Sequence, residues 1–137
     1  MKLDIYVNYK RTCREAFAFY EQHLGAKIHS IQTFGEMYGA HVPPGLESND
    51  VIHARLELGG TFIMGADIPN AEPMRSAYLT LQYETAEEAE TAYAILCQGG
   101  EIFMKMEQTN FATRFAMLRD QFGASWMILC QNESHKP

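Results

Sequence analysis

Cys13-Arg-Glu-Ala-Phe-Ala-Phe-Tyr-Glu-Gln-His-Leu-Gly-Ala-Lys-Ile28 reads as a short amphipathic helix that stops and turns back into a strand. Ala16, Phe17, Phe19, Tyr20 and Leu24 recur at the three- and four-residue spacing of one helical face. Gly25 stands where a left-handed residue would end the helix, and Lys27 and Ile28 begin an extended segment. Leu3-Asp-Ile-Tyr-Val-Asn8 precedes it with the alternation of a half-buried strand. The same order returns with Tyr78–Tyr83, the helical run 85–98 and Gly99–Ile102. Glu15-Ala16 answers Glu88-Ala89, and Tyr20 answers Tyr93. The chain is two copies of one unit.

Working outward, Thr12 and Glu15 form a capping-box pattern at the start of the first helix, which is expected over 11–23. A strand is expected over 28–34, and 35–50 then reads as a long loop around Pro43-Pro44-Gly45. The segment 51–58 alternates, with His53, Arg55 and Glu57 opposite Ile52, Ala54, Leu56 and Leu58. Gly59-Gly60 turns it into a strand over 61–66. After a linker over 67–76, the second copy repeats the plan, with strands over 78–83, 102–106, 113–118 and 125–131 and a helix near 86–98. The segment 132–137 reads as a frayed tail. Each half is therefore β-α-β-β-β. The fold class is α+β, one domain over 1–137 built from modules of about 1–70 and 71–137. Its sheets are mostly antiparallel, with the helices on one face and a cup on the other.

Composition narrows the function classes. Hydrophobic residues at 47% allow a real core, and a net charge of −6 without a Lys/Arg cluster argues against nucleic acid. No apolar run reaches the length of a membrane span, and no signal-peptide layout opens the chain. Cys13, Cys97 and Cys130 are widely spaced and read as reduced thiols of a cytoplasmic protein.

The duplicated unit resembles the vicinal oxygen chelate superfamily, which has the glyoxalase and bleomycin-resistance fold. Within it the motifs look most like the PhnB-like proteins, some of which carry the label demethylubiquinone methyltransferase-like. The matching stretches are Asn8 with Cys13–Tyr20, Phe34-Gly-Glu-Met37, His53–Gly60, Met64-Gly-Ala-Asp67 and Asp120-Gln-Phe-Gly-Ala-Ser-Trp-Met127. The family often has an aromatic pair with tryptophan after a Gln-Glu-Thr stretch, whereas Glu107-Gln-Thr-Asn-Phe-Ala112 leaves only Phe111.

Metalloenzymes of the superfamily hold a divalent ion with His and Glu from four cup strands. By motif and internal repeat those positions fall here on Tyr6, Met64, Tyr78 and Met127. Two phenols and two thioethers do not suit zinc, nickel or iron(II), so the resemblance implies no metal of that type. His53 and Glu57 share a strand face but stand about 13 Å apart by strand rise, too far for one ion. His41 lies in the long loop, and His23, His29 and His135 read as surface residues. The chain has no dinucleotide fingerprint, no phosphate-cradling glycine loop and no glycine-rich S-adenosylmethionine loop, and no cofactor is expected.

Strand parity lines the expected cup with Tyr6, Asn8, His53, Arg55, Glu57, Met64, Tyr78, Thr80, Gln82, Arg114 and Met127. The bland alternative is a wetted sheet face with Arg55 paired to a neighbouring carboxylate. Arg55 or Arg114 in a cup suits an anionic group, and Glu36 at the start of the long loop is a candidate general base if desolvated. The expectation is a small-molecule-binding protein of undefined activity, possessing no superfamily metal and forming a homodimer by family resemblance. The alternative is a glyoxalase- or dioxygenase-type lyase, isomerase or oxygenase using a divalent metal.

Overall fold

A computed structural model describes residues 1–131 of the 137-residue chain. The chain divides into two compact units, one ending at Glu72 and the other beginning at Pro73. The tail expected over 132–137 lies outside the described residues.

The first unit runs β1 (Ile5–Tyr9), α1 (Cys13–Leu24), β2 (Lys27–Thr33), α2 (Phe34–Tyr38), β3 (Val51–Leu58) and β4 (Thr61–Asp67). The second runs β5 (Leu79–Gln82), α3 (Ala86–Leu96), β6 (Glu101–Glu107), β7 (Ala112–Arg119) and β8 (Ser125–Gln131). Each unit has a four-stranded sheet, ordered β1-β4-β3-β2 and β5-β8-β7-β6. The pairs β1·β4 and β5·β8 are parallel and the rest antiparallel, so both sheets are mixed and mostly antiparallel, as the α+β reading requires.

Alternation decides which side chains meet the helix. On β1, Val7 and Tyr9 are buried while Tyr6 and Asn8 are exposed. The Tyr9 ring meets Phe17 of α1 edge-on, and its hydroxyl lies 3.3 Å from that of Tyr20. Ala54 and Leu56 of β3 and Ile63 of β4 complete this buried face, which agrees with the expected faces of 51–58. Gly65 lets α1 approach closely: a Cβ there would lie 2.8 Å from the Phe17 ring and 3.0 Å from the Cys13 sulfur. In the second unit Ala116, Leu118, Trp126 and Ile128 are fully buried, as is Ala89 of α3, while Ala92 and Leu96 of α3 are nearly so. Gly25 ends α1 in the left-handed conformation, with its N–H bonded to the Tyr20 carbonyl.

Two expectations about helices are corrected. Thr12 sits at the N-cap of α1, but its side chain makes no capping bond. Asp67 from the end of β4 does that work, one carboxylate oxygen accepting from Cys13 N at 2.9 Å and the other from Val51 N at 2.8 Å. Full capping boxes need a local acceptor in extended backbone. Thr33 meets that requirement at α2, whereas Thr12 has ψ near 14° and does not. The expected loop over 35–50 also contains α2 at its start, and its far end is pinned. Arg11 reaches Asp50 and Glu47, Arg14 donates to the Asn49 carbonyl, and Phe34 N and Gly35 N donate to the Asp50 and Ser48 carbonyls. Rather than a free lid, the segment is a strap tied to the β1–α1 turn.

Candidate functional site

The duplication gives two sheets of one plan, and β-pairing fixes how their positions correspond. Tyr6 pairs with Met64 in the first unit, and Thr80 pairs with Met127 in the second. Tyr6 therefore answers Thr80. The expected match of Tyr6 with Tyr78 is two residues out; the turns that follow β1 and β5 are equal in length, and strand pairing is what fixes the correspondence. Face is unchanged by a slip of two, so Tyr78, half-buried just ahead of β5, keeps the parity of Thr80 and Gln82.

On the helix-free face of the first sheet, one row across the strands runs Tyr6–Met64–Arg55–Ser30. Phe62 pairs with Glu57 in the row beside it. His53, two residues along β3 from Arg55, has its ring 6.1 Å from that of Tyr6, and Asn8 is exposed beside Ala66 on β1. This face gathers Tyr6, Asn8, His53, Arg55, Glu57 and Met64 from the sequence-expected set.

Arg55 is the charged centre of the face. Its guanidinium carbon lies 3.8 Å from the centroid of the Phe62 ring, a stacking worth about 0.5–2 kcal/mol at a half-buried site. The expected carboxylate partner is absent: among the described residues Arg55 makes no ion pair. Glu57, the natural candidate on the same strand face, is taken by His29, whose Nε2 lies 2.8 Å from Glu57 Oε1. His29 also packs edge-on against Phe62, with ring centroids 5.2 Å apart. A bulge in β2 between Ile28 and Ser30 gives His29 this position. Sequence reasoning missed Phe62 and His29. Phe62 shares period-two parity with Met64 and was legible on that ground, but a bulge leaves no such mark, so His29 was not.

The second sheet offers a different surface. Its corresponding row is Thr80–Met127–Met117–Met104, all on the helix-free side. Met117 and Met127 pack on Ala112, Phe115 and Leu129. Gln82 is exposed and pairs with Leu129. Arg55 thus finds its counterpart in Met117, and one scaffold carries a cationic face in one unit and a thioether face in the other.

Two expected site residues are placed elsewhere. Arg114 turns to the helix-bearing side, where Nε donates to Glu90 of α3 at 2.8 Å and Nη1 to the Thr113 carbonyl. Arg114 shares the parity of Ala116 and Leu118, which are buried on that side, and its pairing with Cys130 belongs to the unbroken register that runs on to Arg119; the β7 bulge lies ahead of it, between Ala112 and Arg114. Glu36 is spent on the α2 cap, its Oε1 accepting from Thr33 N and Thr33 Oγ1 at 3.0 Å each, and it is exposed rather than desolvated. Neither feature is that of a general base.

The titratable groups inside the first unit are structural. Cys13 is fully buried, and burial, with the Asp67 carboxylate second, pushes its thiol far above the ordinary range. Such a thiol is inert at neutral pH. Burial also raises Asp67, against the opposing pull of its two backbone N–H donors. Tyr6 is raised by partial burial and by Cys13, which leaves it a neutral hydroxyl at physiological pH. Among the described residues no group of three or more His, Cys, Asp or Glu is gathered to hold a metal, and His41 is exposed on the strap. No helix among them is long and apolar enough to cross a membrane.

Comparison with known proteins bears on the family and the fold. Protein YjdN of Escherichia coli (strain K12) is 30% identical over 138 residues, spanning 93% of this chain and 94% of its own. The solved structure of protein PA1353 from Pseudomonas aeruginosa matches with a TM-score of 0.83 at 30% identity, over 96% of this chain and 98% of that one. A putative 3-demethylubiquinone-9 3-methyltransferase, PhnB protein, from Bacillus cereus matches at 0.80 and 28% identity, over 95% and 99%. The fosfomycin resistance protein FosX of Listeria monocytogenes shares the fold, at a TM-score of 0.70 and 12% identity over 100% and 98%. Residues 1–129 match the family model described as 3-demethylubiquinone-9 3-methyltransferase. The chain belongs to that family, the PhnB-like proteins of the vicinal oxygen chelate fold, whose members YjdN and PA1353 carry no defined activity in their names.

Proposed function

We propose that this protein binds a small aromatic or flat organic anion on the helix-free face of its first sheet, without a resident metal or cofactor. The observation that carries the reading is Arg55: a guanidinium stacked on Phe62, with no carboxylate partner among the described residues and with apolar Met64 across the strand. A cation held in place by an aromatic ring has N–H donors left for a carboxylate, sulfonate or phosphonate. Tyr6, His53 and Met64 supply flat and adaptable apolar contact beside it, and Asn8 a polar edge. On the second unit, considered by itself, Tyr78, Gln82 and Met127 of the expected set lie on an apolar surface with polar margins.

The family's descriptive name is not taken as the activity. The sequence has no glycine-rich loop for S-adenosylmethionine, and fold alone does not supply a reaction. That a distant FosX relative is named for fosfomycin resistance supports small-molecule binding as a use of the fold, without naming the ligand. A single 1–137 domain acting as a cytoplasmic homodimer belongs to the same proposal, supported by family resemblance and by three free cysteines. Light scattering at micromolar concentration should give twice 15.6 kDa; the monomer mass would refute the dimer.

The binding proposal is tested by thermal shift with matched pairs, each an aromatic carboxylate and its neutral carboxamide. A ligand that binds only the native state raises its apparent stability, so the carboxylates should raise Tm and the carboxamides should not. Equal shifts within pairs would remove the anionic requirement.

A further inference from the structure

We infer that His29 is a positioning residue that keeps Arg55 open to an anionic ligand by holding the Glu57 carboxylate away from it. The inference rests on the anion-binding reading above and adds how the site is kept from neutralising itself.

Arg55 and Glu57 project from the same face of β3, two residues apart, at about 6.6 Å by strand rise. Side chains of that length and opposite charge pair readily, and a self-paired guanidinium has little left for a ligand. Three features divert the carboxylate. The β2 bulge between Ile28 and Ser30 places His29 beside Glu57, with 2.8 Å between Nε2 and Oε1. Phe62 lies directly across from Glu57 and carries Arg55 on its ring. The His29 ring packs edge-on against the same Phe62, so the aromatic separates the two polar pairs that it organises. The internal repeat supplies a comparison. In the second unit Arg119 of β7 occupies the position of Glu57, the bulged residue of β6 is Phe103, and the Arg119 guanidinium stacks 5.1 Å from the Phe103 centroid. There the position of Arg55 is taken by Met117, whose strand partners are Met104 and Met127. The bulged residue thus engages the same neighbour in both units, but only in the first does that leave a cation free.

The test uses full-length protein and the fluorescent aromatic anion 8-anilinonaphthalene-1-sulfonate, with uncharged N-phenyl-1-naphthylamine as control. His29→Leu removes the donor while keeping bulk, and should weaken sulfonate binding about tenfold with little change for the neutral probe. Adding Glu57→Gln to His29→Leu removes the competing charge and should return the affinity to within about threefold of wild type. His29→Gln, which still donates an N–H to Glu57, should stay within about twofold. A crystal structure of the His29→Leu protein should show the Glu57 carboxylate on Arg55. If His29→Leu binds the sulfonate like wild type while Arg55→Met does not, the His29 role is wrong and the anion site stands. If the double variant stays weak, or Glu57 stays off Arg55 in the crystal, His29 does not act through Glu57. Wild-type affinity in Arg55→Met removes both readings.

Discussion

At the scale of single residues, Asp67 is the buried charged side chain of the first unit among the described residues. It is 2% exposed and joins three elements, since its two oxygens accept from the first turn of α1 and from the start of β3 while its own backbone ends β4. Asp67→Asn leaves one acceptor and turns an amide N–H₂ toward a backbone donor, so at neutral pH it should lower stability by about 1–3 kcal/mol in urea unfolding. The pH dependence follows from the raised value of the buried carboxyl. A native state that holds its proton more tightly than the unfolded chain is favoured below the ordinary carboxylate range, and loses that advantage as pH rises from there through the raised value. The stability gap between wild type and Asp67→Asn, which does not titrate there, should therefore narrow as pH rises from about 4. A gap that widened over that range would show that the two N–H bonds outweigh burial. The sequence marked Asp67 only as a motif residue and a linker start. Its partners lie 54 and 16 positions away, and nothing local announces a bond of that span.

Among the elements, the two helix starts look alike in sequence and differ in structure. Thr85 of α3 accepts from Glu88 N at 3.2 Å, so Thr85→Ala should cost about 1 kcal/mol. Thr12 makes no such bond, and Thr12→Ala should stay within about 0.5 kcal/mol. Comparable losses from both, measured by thermal or urea unfolding, would contradict the assignment of the α1 cap to Asp67. Helices and strands were readable because their periods of 3.6 and 2 are local properties: Gly25 ends α1 where the reading placed it, and β3 alternates as read. What escaped were the breaks in period. The bulge in β2 moved His29 onto the helix-free face, and α2 formed within a segment rich in turn residues; Arg114 was a parity error instead, since it alternates in step with the buried Ala116 and Leu118. A one-residue insertion in a strand is set by pairing with its neighbour, which the strand's own sequence does not record.

For the whole molecule, duplication made the architecture legible, and divergence between the copies is where the proposed function is sought. The two sheets share strand order and parity, yet the position of Arg55 in one is Met117 in the other. The shared pattern identifies the fold, while the unshared charge identifies the candidate site. Sequence parity found Arg55, His53 and Tyr6 on one face. It did not reveal that Glu57 was engaged elsewhere, which depends on the β2 bulge and on Phe62. The central claim is that Arg55 gives this face a preference for anions. The most direct measurement is the ratio of Kd for N-phenyl-1-naphthylamine to Kd for 8-anilinonaphthalene-1-sulfonate, in wild type and in Arg55→Met, with circular dichroism confirming the fold of both. A charge-assisted contact of about 1.5–3 kcal/mol predicts a wild-type ratio of about 10 to 100, collapsing toward 1 in Arg55→Met through weaker sulfonate binding alone. The same ratio in both proteins would contradict the claim.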